Sequence, residues 1–225
     1  MAACSPAYPA AAAGWPVSQW ERIWKIWQKV LNSAIDNFPA IASTPPNLEV
    51  NSNTDKIIAV YDPSANKVHI GLNLAQLMSD SESELAFAMA HEIGHSIQRW
   101  SGKLIFFPNQ EWDADQYGLW LSFIAGYDPY AAAGTLAKIY MAMGQAGLAD
   151  QNFDDVNTLL TMLGLPVSQP DFHGSFNTRI DLVFKDMQYI CSTSQMASLC
   201  ALYKTAVHPN LPIGAPLSKP GTKTP

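Results

Sequence analysis

His91-Glu92-Ile93-Gly94-His95 combines the residue types and spacing most able to do chemistry in this chain. Residues four apart on a helix lie on one face, a turn apart, so both imidazoles can reach a single ion. Glu92 points close to the same face without being needed as a ligand, so it can hold a metal-activated water and accept its proton. Zinc suits this arrangement, because it is a Lewis acid without redox chemistry that lowers the pKa of a water towards about 7. The chemistry implied is hydrolysis of a carbonyl compound such as a peptide. The bland alternative is a helix with two incidental histidines, but the surrounding run is apolar, and buried His and Glu without partners would be costly there.

A catalytic zinc takes three protein ligands and keeps a fourth position open. Three and six residues beyond His95 stand Gln98 and Ser101, where an extended motif would supply Gly and a third His. The third ligand must therefore come from elsewhere. Glu111-Trp112-Asp113-Ala114-Asp115 is the obvious source, with Glu111 and Asp115 again four apart on one face. Glu111 can complete the metal set while Asp115 accepts a hydrogen bond from a ligand imidazole and fixes its tautomer. Asp113 points off that face and is expected to be solvated. Taken alone, the pair would read as a charged surface.

The elements that must position these residues follow from periodicity. Ser18-Gln19-Trp20-Glu21 has the form of a capping box, and Trp20, Ile23, Trp24, Trp27, Val30, Leu31, Ala34 and Ile35 recur at helical spacing up to Pro39. This Trp stripe is core packing. Residues 56–61 and 67–72 are β-rich runs separated by Asp62-Pro63-Ser64-Ala65-Asn66 and read as a hairpin. Ser81-Glu82-Ser83-Glu84 opens the helix carrying the His pair, with Gly102 closing it. Further helices are expected at about 110–125, 129–146, 153–163, 177–190 and 196–206. Residues 1–17 form an Ala/Pro-rich tether, 18–207 a single domain, and 208–225 a Pro-rich tail expected to be disordered.

Composition narrows the partners. The 225 residues are 48% hydrophobic, enough for one buried core, and the net charge of -6 leaves no basic stripe for a nucleic-acid backbone. No apolar run approaches the roughly 20 residues that cross a bilayer. Ala2-Ala3-Cys4 followed by Ser5 has the form of the end of a bacterial lipoprotein signal, with Cys4 as the lipid-anchored residue; an incidental Cys in a disordered tail is the alternative. Cys191 and Cys200 would lie on opposite faces of one straight helix, so they can pair only if the chain turns near Ser192-Thr193-Ser194. A disulfide would fit export, and two buried thiols are the other reading.

Residues 83–95, Ser-Glu-Leu-Ala-Phe-Ala-Met-Ala-His-Glu-Ile-Gly-His, with Glu-Trp-Asp-Ala-Asp-Gln-Tyr-Gly-Leu at 111–119 and Ala-Gly-Tyr-Asp-Pro at 125–129, resemble the M48 family of zinc metallopeptidases. The resemblance runs from about residue 55 to about residue 190. It implies one Zn2+ bound by His91, His95 and Glu111, Glu92 as general base, and Asp115 as support for a ligand. His173-Gly174-Ser175 with Arg179 six residues after the His resembles a later family segment in which Pro stands where Gly174 does here. It implies His173 as a hydrogen-bond donor to the oxyanion, and Arg179 as a residue that orients the site or pairs with Asp115. His69 and His208 take no role. The membrane helices and appended helical repeats of some family branches are missing from this sequence, as is the Pro-Gly-Gly segment often found before the zinc helix, so substrate handling near residues 57–71 is expected to differ.

The expectation is an α+β, mainly helical, zincin-like (gluzincin) domain with a small antiparallel β-sheet. Val68 to Leu72 is expected to form the edge strand that pairs with an extended substrate. The activity implied is endopeptide hydrolysis of misfolded or surplus cell-envelope proteins in the bacterial periplasm. The rival is a metal-stabilised, chaperone-like binding module that cleaves little.

Overall fold

A helix that is apolar nearly all round has to be buried, and α4 (Glu82–Trp100) is the element around which the others are laid. In the computed structural model, which describes residues 17–51, 59–101, 110–145, 176–193, 197, 200 and 201, every residue of α4 from Glu84 to Gln98 is buried except the half-buried His95. Ser81 caps the helix: its side chain accepts a hydrogen bond from the Glu84 backbone N–H at 3.2 Å. Glu82 and Glu84 in the first turn and Arg99 in the last complement the helix dipole.

One side of α4 is covered by α1 (Val17–Asn37), whose Ile23, Ile26, Trp27, Val30 and Ala34 are buried, and by α2 (Pro39–Ser43) through Ile41. The Trp stripe is core, as its spacing predicts. Ser18 lies inside the first helix rather than at its N-cap, since α1 already includes Val17. Three strands follow: β1 (Asn47–Asn51), β2 (Ala59–Asp62) and β3 (Lys67–Gly71), in the order β1-β3-β2. Val68 and Ile70 of β3 are fully buried in the same core. A short helix, α3 (Leu72–Leu77), leads from β3 to the start of α4.

The hairpin forms as expected, with Tyr61 opposite Val68 and the Asp62 carboxylate accepting from Ser64 and Ala65 in the turn. Asn66, at φ 51°, takes the left-handed position that Asn tolerates. The sheet itself is mixed rather than antiparallel, because β1 pairs parallel to β3 from Asn47↔Lys67 to Asn51↔Gly71. Val68 to Leu72 is therefore not an edge strand: residues 68–71 lie in the central strand, flanked on both sides, and Leu72 begins α3. The edge packed on α4 is β2.

The other side of α4 is covered by α5 (Gln110–Ile124) and α6 (Ala131–Gln145), with α7 (Phe176–Ser192) packed on both. Phe87, Leu119, Ala132, Leu136, Val183 and Met187 form their shared core. Gly126, at φ 87°, follows the end of α5 as its position in the sequence predicts. Lys138 ties α6 to the start of α4 by reaching Glu84 at 2.6 Å and Asp80 at 2.9 Å. After α7 the chain turns at Ser192 and Thr193, and Cys191 and Cys200 form a disulfide with Cα atoms 5.5 Å apart. The expected helix at 153–163, Cys4 and the two terminal segments outside 17–201 lie outside the described residues.

The approach of α5 to α4 is close enough to need glycine at both helices. A Cβ on Gly94 would stand 3.0 Å from the Ala114 carbonyl oxygen, and one on Gly118 would stand 3.1 Å from the His91 backbone nitrogen. Helix propensity alone favours Ala over Gly by about 1 kcal/mol. Gly94→Ala should nevertheless lower unfolding free energy, by about 1–2 kcal/mol net, because overpacking against backbone cannot relax cheaply. Urea denaturation measures it, and a variant as stable as the parent would show that the helices have slack.

Candidate metal centre

The tight α4–α5 contact brings together side chains that the sequence places 16 to 24 residues apart. The His91 and His95 Nε2 atoms stand 3.1 Å apart. Glu111 reaches across from α5, with Oε1 3.1 Å from His95 Nε2 and Oε2 3.3 Å from His91 Nε2. One ligand atom from each of these three residues lies within 4.8 Å of the others, so the group can hold a metal ion. A tetrahedral ion with bonds of about 2.0–2.1 Å separates its ligand atoms by about 3.3–3.4 Å, close to the spacing of the two imidazole nitrogens, while each Glu111 oxygen approaches a different imidazole. Donor type fits as well: two imidazoles and one carboxylate are groups that divalent metal ions take as ligands.

A further layer of charged groups stands behind the trio. His91 Nδ1 lies 2.9 Å from Asp115 Oδ1, off the line of an ideal hydrogen bond but directed at the carboxylate. Asp115 is fully buried and is held in two places by Arg179 of α7, at 2.8 Å from both Nε and Nη2. The Arg179 Nη1 also approaches Glu111 Oε2 at 3.1 Å. The expected pairing of Arg179 with Asp115 is thus observed, and one guanidinium steadies both the third ligand and the carboxylate behind the first. His173 lies outside the described residues.

Glu92 is buried, with Oε1 3.9 Å from His91 Nε2, near the ligand set but not within it. Burial raises its carboxyl pKa, while His91, His95 and the Tyr61 backbone amide of β2 oppose the rise. Burial disfavours charge on His91, yet the Asp115 and Glu111 carboxylates outweigh it and hold the imidazole pKa up at about 10. At His95, burial is likewise overcome by Glu111. The carboxylates that raise the proton affinity of the imidazoles also place negative charge beside any cation held there. Burial pushes the Asp115 carboxyl up, but Arg179 and His91 bring it below its ordinary value.

Several contacts go beyond the sequence-based expectation. His95 Nδ1 lies 2.9 Å from Gln98 Oε1, and Gln98 Nε2 donates to the Gln110 carbonyl at 2.6 Å. Asp113, expected to be solvated, is half-buried and accepts from the same Nε2 at 3.4 Å. Gln98 is three residues from His95 and so on its face of the helix, which is the one signal that could have marked it. The Tyr61 amide has no sequence signal at all, since any residue supplies one.

No family model, curated protein or solved structure matches this chain. The site's chemistry therefore rests on its own geometry.

Removing Arg179 would leave the buried Asp115 and the half-buried Glu111 with only the imidazoles as counter-charge. Arg179→Met should destabilise the metal-free protein by about 3–5 kcal/mol, the usual consequence of breaking a buried ion pair on one side. Guanidinium unfolding followed by circular dichroism measures this, and a loss below about 1 kcal/mol would mean the cluster is open to water.

Proposed function

We propose that this chain is a zinc-dependent endopeptidase of M48 type that hydrolyses unfolded or extended polypeptides. The observation that carries the proposal is the convergence of His91, His95 and Glu111 as a group that could hold one ion, with Glu92 alongside. A site serving only structure would favour four protein ligands and would have no use for a buried carboxylate beside them.

An ion held by the three ligands supplies Lewis acidity, which acidifies water and polarises the scissile carbonyl. Glu92 takes the proton from the attacking water and returns it to the leaving amine. Its place beside the ligand set but outside it suits this role. The Tyr61 amide keeps the carboxylate aimed at the site. Asp115 orients the His91 ring, and Arg179 holds Asp115 and Glu111 in register. His173 keeps, within this proposal, the oxyanion-donor role that the family resemblance implies.

The strand β2 offers an edge beside Glu92 for main-chain pairing with an extended substrate, replacing the central strand expected from sequence. The Cys191–Cys200 disulfide supports an oxidising compartment, and the proposal extends to misfolded envelope proteins of the bacterial periplasm and to a lipid tether at Cys4. Among the described residues, no helix is long and apolar enough to cross a membrane.

The purified full chain should bind one Zn2+, measured by metal analysis, and digest casein in a chelator-sensitive way. Glu92→Gln should lower cleavage by about 10²–10⁴-fold while zinc content stays at the parental level. His91→Ala or Glu111→Ala should lose zinc and activity together. Equal inactivity of the parent and Glu92→Gln, with both still binding unfolded casein, would establish the chaperone-like module instead.

A further inference from the structure

The two imidazoles of the site are backed in different ways. His91 leans on a carboxylate that Arg179 clamps, whereas His95 leans on a neutral amide, that of Gln98, whose side chain is all but sealed from solvent at 1% exposure. The orientation of that amide is fixed by its surroundings. The Gln110 carbonyl at 2.6 Å and the Asp113 carboxylate at 3.4 Å can only accept, so the group facing them is the NH2. A flipped amide would set its own oxygen against both acceptors. Its Oε1 is left facing His95 Nδ1 at 2.9 Å, and since that oxygen is also only an acceptor, Nδ1 must carry the proton. The His95 Nε2 lone pair is then the one turned towards His91 Nε2 and Glu111.

The other end of the contact matters equally. Gln110 is the residue before Glu111 and opens α5, so one buried side chain spans from the second imidazole to the backbone that delivers the third ligand. We propose that Gln98 is a positioning residue: it selects the Nε2-ligating form of His95 and locks that ring to the first turn of α5, setting the distance between His95 and Glu111. The proposal rests on the metal-centre reading given above.

The test uses the full-length chain labelled with 15N-histidine and loaded with Zn2+. His95 should coordinate through Nε2 and show an Nδ1–H proton in slow exchange with water. In Gln98→Met, which fills similar space without hydrogen-bonding capacity, that proton should exchange at least about 10-fold faster, while the Nδ1–H of His91 is unchanged. Zinc Kd, read by competition with a chromophoric chelator, should rise about 10–100-fold. A purely packing role for Gln98 would not move the His95 proton selectively. Coordination through His95 Nδ1, rapid exchange of its Nδ1–H in the parent, or an unchanged zinc Kd in Gln98→Met each overturns the proposal; the first two need no variant to fold. Failure of the parent to bind Zn2+ at all would instead remove the metal centre and this role with it, and the two failures are told apart by the parent's titration alone.

Discussion

A helix buried on every side can carry His91, Glu92 and His95 only if their polar atoms are met by groups of complementary character, and this constraint shapes much of the molecule. Helix α4 lies in a core built from α1, the sheet and α6, where an unmatched charge would cost several kcal/mol. The Tyr61 amide of β2 meets Glu92, and the groups that meet the two imidazoles come from the other side. Helix α5 brings Glu111, Asp115 and the backbone at Gln110, and α7 brings Arg179. Polar satisfaction and ligand geometry are in this sense one arrangement.

Close approach makes that arrangement possible. With a side chain at Gly94 or Gly118 the helices would be forced apart, and a shift of even a few tenths of an ångström matters where ligand atoms sit 3.1 Å from one another. The glycine inside the His-Glu-x-Gly-His run is accordingly a packing residue, facing Ala114 and Tyr117 rather than the site's polar groups. The same turn of helix thus presents chemistry on one face and a backbone-width groove on another.

What could be seen in the sequence divides along the range of the interactions. His91, His95 and the Glu111/Asp115 pair were legible because helical periodicity is local: spacing four puts residues on one face whatever the rest of the chain does. The Ser81 cap and the hairpin turn at Asp62 to Asn66 are local too. Arg179 was reached only through resemblance, since nothing in the residues between it and Asp115 encodes a contact 64 positions long. The mixed sheet escaped for a similar reason. Asn47 to Asn51 is short, carries Asn and Glu that strands disfavour, and pairs in parallel with residues that no turn joins to it. Missing that strand made β3 look like an edge. Gln98 could be placed on the face of His95 by its spacing, but a Gln on a helix does not announce which polar atoms it will bridge.

The position of α7 in the chain has a consequence for biosynthesis. Glu111 and Asp115 leave the ribosome more than sixty residues ahead of the guanidinium that neutralises them. Until that cation arrives, an early α4–α5 hairpin holds acids in an apolar setting and is held back from completing its packing. Helix α7 therefore acts as the latch on a centre whose other parts are translated well before it.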